Sequence, residues 1–195
     1  MAAQVVMLAG ASGSGKTSLC RRLGLPVLTL DDFYRDGDDP GLPHRFGIVD
    51  WDHVGSWDAA GAVATIERLC RGGGAADVPV YDIPSSRRTG TVRLDLAGAP
   101  LVVAEGVFAA ELVDACRELG VLADAVCLRL HPAVTFGRRL LRDLAESRKP
   151  PLTLLRRGLA LARSEPDLVA RWTALGCRPL SIPEAERALR ELATR

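Results

Sequence analysis

Residues 10–17 read GASGSGKT, set directly between the apolar run Val5-Val6-Met7-Leu8 and the segment Ser18-Leu-Cys-Arg-Arg-Leu-Gly24. The stretch fits the pattern G-x-x-x-x-G-K-[ST] through Gly10, Gly15, Lys16 and Thr17. Glycines at this spacing let consecutive backbone N–H groups turn inward onto phosphate oxygens, and the N-terminus of the following helix adds the positive end of its dipole. Lys16 is then placed to reach the β- and γ-phosphates, and the Thr17 hydroxyl to bind Mg²⁺. Lys16 and Lys149 are the only lysines; every other basic residue is arginine. The stretch therefore predicts a strand, a phosphate-cradling loop and a helix, with a nucleoside triphosphate as ligand.

Outward from this loop, apolar runs alternate with helical patterns. Gln4–Ala9 reads as a buried strand and Lys16–Leu23 as a helix capped by Gly24. Pro26–Leu30 is a second strand, ending on Asp31-Asp32, and residues 35–49, rich in Gly, Pro and Asp, read as a loop. Ser56–Arg71 carries Val63, Ile66, Leu69 and Cys70 on one helical face and stops at Gly72-Gly73-Gly74. Residues 78–96 hold two alternating runs around SSRRTG, which predicts a small inserted β-hairpin.

A third strand, Leu101–Ala104, ends in Glu105-Gly106, and a helix is expected near Ala109–Leu119. A fourth strand follows at Ala125–Leu130, then an arginine-rich helix over 132–146 that breaks at Lys149-Pro150-Pro151, and two further helices up to Ala174. Cys177–Leu180 reads as a last strand, and Ser181-Ile-Pro-Glu184 as a capping box opening a final helix. Apolar strands alternating with helices imply an α/β, three-layer fold: a parallel sheet of about five strands with helices on both faces, in one domain over 1–195. Ligands of such sheets lie at the C-terminal ends of the strands. GASGSGKT, DDFY and EGVF all fall there.

Composition removes several functional classes. With 25 Lys and Arg against 24 Asp and Glu, the net charge of +1 argues against a general nucleic-acid or membrane-surface binder. The cysteines (Cys20, Cys70, Cys116, Cys127, Cys177) are scattered without a C-x-x-C pair, which suits buried thiols in a reducing cytoplasm better than disulfides or zinc. No apolar run approaches the roughly 18 residues of a membrane span, and no secretory signal pattern opens the chain, so a cytoplasmic location is expected. Asparagine is absent, which removes the N-K-x-D guanine reader of a GTP-driven switch.

Two acidic residues at strand ends suit the same chemistry. Asp31, at the tip of the second strand, can accept a hydroxyl proton during phosphoryl transfer or help to position Mg²⁺. Glu105 follows Leu-Val-Val-Ala, the place of a metal-holding carboxylate at the end of a buried strand.

The ordered set GASGSGKT, DDFY, DWDH, VPVYD, EGVF and RRLLRDL resembles the uridine kinase family of P-loop NTPase fold kinases. It is also similar to the related nicotinamide riboside kinases and phosphoribulokinases. The likeness runs from Val5 to Lys149. It implies ATP-dependent transfer of the γ-phosphoryl group to the 5′-hydroxyl of a nucleoside such as uridine or cytidine, with Mg²⁺ as cofactor. Another small hydroxylated acceptor (nicotinamide riboside or pantothenate) and a nucleotide-binding module without turnover remain as alternatives.

Residue by residue, the resemblance makes Asp31 the base and Lys16 its catalytic companion. It places Gly10, Ser12, Gly13, Ser14, Gly15, Lys16, Thr17 and Ser18 on the nucleotide phosphates, together with Arg142. Thr17 and Glu105 match the Mg²⁺ positions, and Asp52 matches an aspartate that grips the ribose hydroxyls. Tyr34, Trp51 and Tyr81 match aromatics beside the nucleoside. Arg88, Arg139 and Lys149 complete the expected substrate set. The last two belong, with Arg142, to an arginine-rich lid over 138–151. Where the family usually carries a histidine that reads the pyrimidine, this chain has Ser86, and its Asp31-Asp32 doublet is more similar to nicotinamide riboside kinases. The partners implied are ATP and a nucleoside-like acceptor, with neither nucleic acid nor membrane; a homo-oligomer is left open.

Overall fold

The computed structural model describes residues 3–129 and 166–194. In chain order the elements are β1 (Gln4–Ala9), α1 (Lys16–Leu23), β2 (Val27–Thr29), β3 (His44–Arg45), β4 (Ile48–Val49), α2 (Ala59–Arg71), β5 (Ala75–Asp82) and β6 (Arg87–Asp95). There follow β7 (Leu101–Gly106), α3 (Val113–Glu118), β8 (Leu122–Leu128), the helix α4 over 166–174, β9 (Arg178–Leu180) and α5 (Ile182–Ala193). Short 3₁₀ turns at Leu30–Phe33, Val54–Ser56 and Ala109–Leu112 join them.

The principal sheet has five strands in the order β2-β7-β1-β8-β9, all parallel. Side chains alternate across it. Val5, Met7 and Ala9 of β1, Val102 and Ala104 of β7, and Ala125 and Cys127 of β8 join the core beneath α2, α3 and α4. Leu8, Val103, Val126 and Leu128 point the other way, onto Leu19 and Cys20 of α1 and Ala185 of α5. The central strands β1 and β7, buried on both faces, carry no polar alternation, which is why Val5–Ala9 and Leu101–Ala104 read in sequence as unbroken apolar runs. The chain thus has the P-loop kinase architecture, a parallel sheet between two helical layers.

The order of strands positions the site. Chain-wise, β1 leads to β2, yet β7 is inserted between them in space. The register sets Leu8 of β1 and Thr29 of β2 on either side of Glu105. The phosphate loop, the Asp31 segment and Glu105 therefore share one crevice at the carboxyl edge, where the direction of winding reverses.

Several boundaries depart from the sequence expectation. β7 continues through Glu105 and Gly106, so the carboxylate is the penultimate residue of a buried strand. α2 begins at Ala59 because Asp58 accepts the Gly61 N–H at 2.9 Å and caps it, after a separate 3₁₀ turn. The antiparallel pair expected over 78–96 joins β5 to β6 as a two-stranded sheet of its own. Residues 35–49, expected as loop, contain the small hairpin β3–β4. The expected helix over 132–146 and the lid over 138–151 lie outside the described residues.

Candidate active site

The loop from Gly10 to Gly15 turns on glycines in the left-handed region, Gly13 at φ 83° and Gly15 at φ 92°, the latter as N-cap of α1. Lys16 is buried at the head of that helix. Its Nζ donates to the Gly10 carbonyl at 2.8 Å and the Ala11 carbonyl at 3.3 Å, and lies 3.8 Å from Glu105 Oε2. The ammonium is thus folded back under its own loop. The Ser14 hydroxyl is fully buried and without a hydrogen-bond partner among the described residues. Thr17 and Ser18 face solvent on the first turn, where Ser18 Oγ accepts a bond from Arg22 at 2.9 Å.

Glu105 is 8% exposed. Burial pushes its carboxyl pKa up; the Lys16 charge opposes this, and the charges of Asp31 and Asp32 reinforce it. Lys16 is the cation in contact with Glu105, and the charges of Asp31 and Asp32 act on that pair from nearby. Asp31 Oδ1 lies so close to Gly106 that a Cβ there would stand 3.0 Å from it and 2.9 Å from Leu30 Cβ. Only glycine lets the end of β7 approach the Asp31 segment this closely. Asp32, also pushed up by burial, accepts the backbone N–H of Tyr81 at 3.2 Å and so attaches the β5–β6 hairpin to the same segment.

Two buried indoles fix the backbone around these carboxylates. Trp57 Nε1 donates to the Leu30 carbonyl at 2.7 Å, immediately before Asp31. Trp172 Nε1, on α4, donates to the Val107 carbonyl at 3.2 Å, two residues beyond Glu105. Neither had a motif to mark it; each was one tryptophan in a helical pattern.

Beyond Asp31 the wall is aromatic. The Tyr34 ring lies 5.7 Å from Trp51, 5.8 Å from Tyr81 and 6.0 Å from Phe108, and its hydroxyl donates to the Trp51 carbonyl at 3.3 Å. Burial first, then the charges of Asp31 and Asp52, raise the Tyr34 pKa. Both carboxylates thus act on one phenol. Tyr34, Trp51 and Tyr81, expected near one another, form one cluster with Asp52 exposed at its edge. Phe108 joins them unforeseen, although it closes the EGVF motif. The Arg88 guanidinium, expected beside the substrate, bonds the Phe33 and Tyr34 carbonyls and the Asp58 carboxylate at 3.1–3.2 Å. Ser86 sits in the hairpin turn at φ 52°, its carbonyl accepting the Gly37 N–H at 2.7 Å. Arg139, Arg142 and Lys149 lie outside the described residues.

No family model matches the chain. A uridine kinase from Deinococcus deserti is 33% identical over 168 residues, covering 82% of this chain and 77% of that protein. The uridine kinase of Leuconostoc citreum is 28% identical over 151 residues, 73% of this chain and 69% of that one. Among solved structures, a candidate fructose transport system kinase from Silicibacter sp. superposes with a TM-score of 0.57 at 20% identity, over 92% of this chain and 88% of the other. That likeness concerns the fold. Sequence identity across four-fifths of the chain, joined to a phosphate loop with Glu105 and Asp31 at adjacent strand ends, is decisive for kinship: the chain belongs to the uridine kinase family, phosphotransferases with an alcohol acceptor.

Proposed function

We propose that the protein transfers the γ-phosphoryl group of ATP to the 5′-hydroxyl of a nucleoside, with Asp31 as the base. One observation carries this reading: Lys16 stands 3.8 Å from Glu105, while Asp31 is packed against Gly106, the next residue of the same strand. Phosphate loop, acidic strand end and base thus converge on one point, as an in-line transfer requires.

In this mechanism the loop N–H groups and Lys16 hold the β- and γ-phosphates, and an entering triphosphate draws Lys16 from the Gly10 carbonyl. Asp31 accepts the proton of the attacking hydroxyl as the new P–O bond forms and the bond to the β-phosphate oxygen breaks. Asp52 holds the vicinal hydroxyls of the sugar, and Tyr34, Trp51 and Tyr81 form the wall against which it rests. Arg88, beside the β5–β6 turn, holds that end of the hairpin onto the Asp31 segment. The lid residues Arg139, Arg142 and Lys149 are assigned to the closing phosphates and acceptor on the family resemblance alone.

A divalent cation suits the donor set. Glu105 is a buried carboxylate pressed by two others and answered by one lysine, a surplus of hard oxygen charge that Mg²⁺ relieves. Among the described residues no group of three or more His, Cys, Asp or Glu could cage a metal unaided. That fits an ion held by Glu105 and Thr17 jointly with substrate phosphates. Bound there, Mg²⁺ neutralises charge on the phosphate oxygens.

The test is ADP release from MgATP with uridine, cytidine, nicotinamide riboside, pantothenate or no acceptor. Acceptor-dependent turnover by a nucleoside is expected, and Asp31→Asn should lower kcat by about a hundredfold or more at unchanged MgATP affinity. An unaltered kcat would remove Asp31 as the base. Absence of turnover with every acceptor would favour a nucleotide-binding module.

A further inference from the structure

The segment that carries Asp31, residues 30–38, is bonded to two other stretches of chain. One is residues 54–58: the Arg35 N–H donates to the Ser56 carbonyl at 3.0 Å and the Asp58 N–H to the Phe33 carbonyl at 2.9 Å, with Tyr34 and Trp57 in an antiparallel bridge. The other is the turn end of the β5–β6 hairpin. There the Tyr81 hydroxyl donates to the Arg35 carbonyl at 3.2 Å, the Arg88 N–H to Asp36 Oδ1 at 2.7 Å and the Arg87 guanidinium to Asp38 Oδ2 at 2.6 Å.

One ion pair draws all three stretches together. Arg88 Nε donates to the Tyr34 carbonyl, and its Nη2 to the Phe33 carbonyl and to Asp58 Oδ2, at 3.1–3.2 Å. Asp58 Oδ1 is taken by the Gly61 N–H at 2.9 Å, the cap of α2. The guanidinium thus reaches from the hairpin, across two carbonyls just beyond Asp31, to the head of a 13-residue helix. A planar fork can span three acceptors in this way, whereas a lysine ammonium is a single point. Both side chains are 35% exposed, and ion pairs on a surface add little to stability. What this pair can supply is alignment.

Resting on the nucleoside kinase reading above, we infer that Arg88 and Asp58 form a clasp that holds Asp31 in line with the attacking hydroxyl. Arg88 acts through the Phe33 and Tyr34 carbonyls, and Asp58 acts through Arg88, so both are positioning residues. Because Tyr81 of the same hairpin stands in the aromatic wall beside Tyr34, the clasp also ties that wall to the base.

The test measures steady-state kinetics of Arg88→Ala, Arg88→Lys, Asp58→Asn and the double variant Arg88→Ala/Asp58→Asn. MgATP is the donor, and uridine, cytidine or nicotinamide riboside the acceptor, whichever the native protein phosphorylates. Asparagine keeps the helix cap, but its single oxygen is then taken by Gly61 and none is left for Arg88. Arg88→Ala and Arg88→Lys should each lower kcat by about ten- to a hundredfold, with acceptor KM and MgATP affinity retained. Asp58→Asn should act in the same direction, and the double variant should lose no more than Arg88→Ala alone, since one clasp opens only once. Circular dichroism and melting establish that each variant is folded. A raised acceptor KM at native kcat makes Arg88 a ligand of the acceptor, and additive losses uncouple the two residues; either result overturns the inference. Hydrogen exchange of the amides over 31–37 needs no acceptor. It should quicken in Arg88→Ala and Asp58→Asn while exchange in β1 stays native, and unchanged exchange overturns the clasp. If no acceptor is phosphorylated and exchange still responds, the nucleoside kinase reading fails and the clasp stands.

Discussion

At the residue scale the site depends on close approaches that one methyl group would undo. Gly106 is the sharpest instance, since a Cβ there would meet Leu30 Cβ at 2.9 Å and Asp31 Oδ1 at 3.0 Å. Gly106→Ala should therefore displace Asp31 by a fraction of an ångström and lower kcat by roughly ten- to a hundredfold. Binding of MgATP should stay unchanged, because the loop belongs to β1 and α1. Steady-state kinetics with a nucleotide-binding titration separate the two effects; a parallel loss of ATP affinity would count against the argument. Motif logic could mark Lys16, Asp31 and Glu105, since their chemistry is local. It marked Gly106 only as a letter of EGVF and Trp57 not at all, because the parts they play exist only where two segments touch.

At the scale of elements, the β3–β4 hairpin turns through Phe46 and Gly47, both left-handed at φ 55° and 78°. Such two-residue turns favour Asn-Gly, and Phe46 is 90% exposed, so its ring gains little burial for the strain. Its ring does lie 5.2 Å from the Arg45 guanidinium, a weak contact at an exposed site. Phe46→Asn should stabilise the protein by about 0.5–1 kcal/mol in thermal or urea unfolding; a destabilised variant would contradict the strain argument.

Helices α1 and α5 are joined through Glu186, which meets Arg22 at 2.8 Å and Arg190 at 2.9 Å. Bonds from Arg190 and then Arg22 hold its pKa below the ordinary 4.5. A depressed carboxylate pKa contributes stability that is present above the unfolded value and lost as pH falls through the folded one. The melting-temperature difference between native protein and Glu186→Gln should thus be small, as for exposed ion pairs, and vanish in acid below 4.5. A difference that grows in acid would reverse the assignment. The long apolar strands and the capping box were readable because their signals lie within a few residues: the Ser181 N–H does meet the Glu184 carboxylate, at 2.8 Å. The β3–β4 hairpin was not readable, because two strands of two residues each offer no periodicity and their turn lacks the usual Asn.

For the whole molecule, the two-faced sheet places all five cysteines in the interior. Burial pushes the thiols of Cys20, Cys116 and Cys177 up to about 12 and that of Cys70 to about 11. No thiol should react with an aromatic disulfide reagent at neutral pH until denaturant is added, whereupon all five should titrate. Rapid reaction of even one in the native state would show an opening that the packing does not suggest. The sequence alone determined the phosphate loop, the α/β class, the carboxylates at strand ends and the kinship, because each is written in contiguous residues with local geometry. Only the tertiary structure decided that β7 lies between β1 and β2, which brings Glu105 beside the loop and the Asp31 segment. It alone also closed Arg88 and Asp58 over that segment. Strand order and such contacts arise from packing between segments far apart in the chain, and no local pattern encodes which faces will meet.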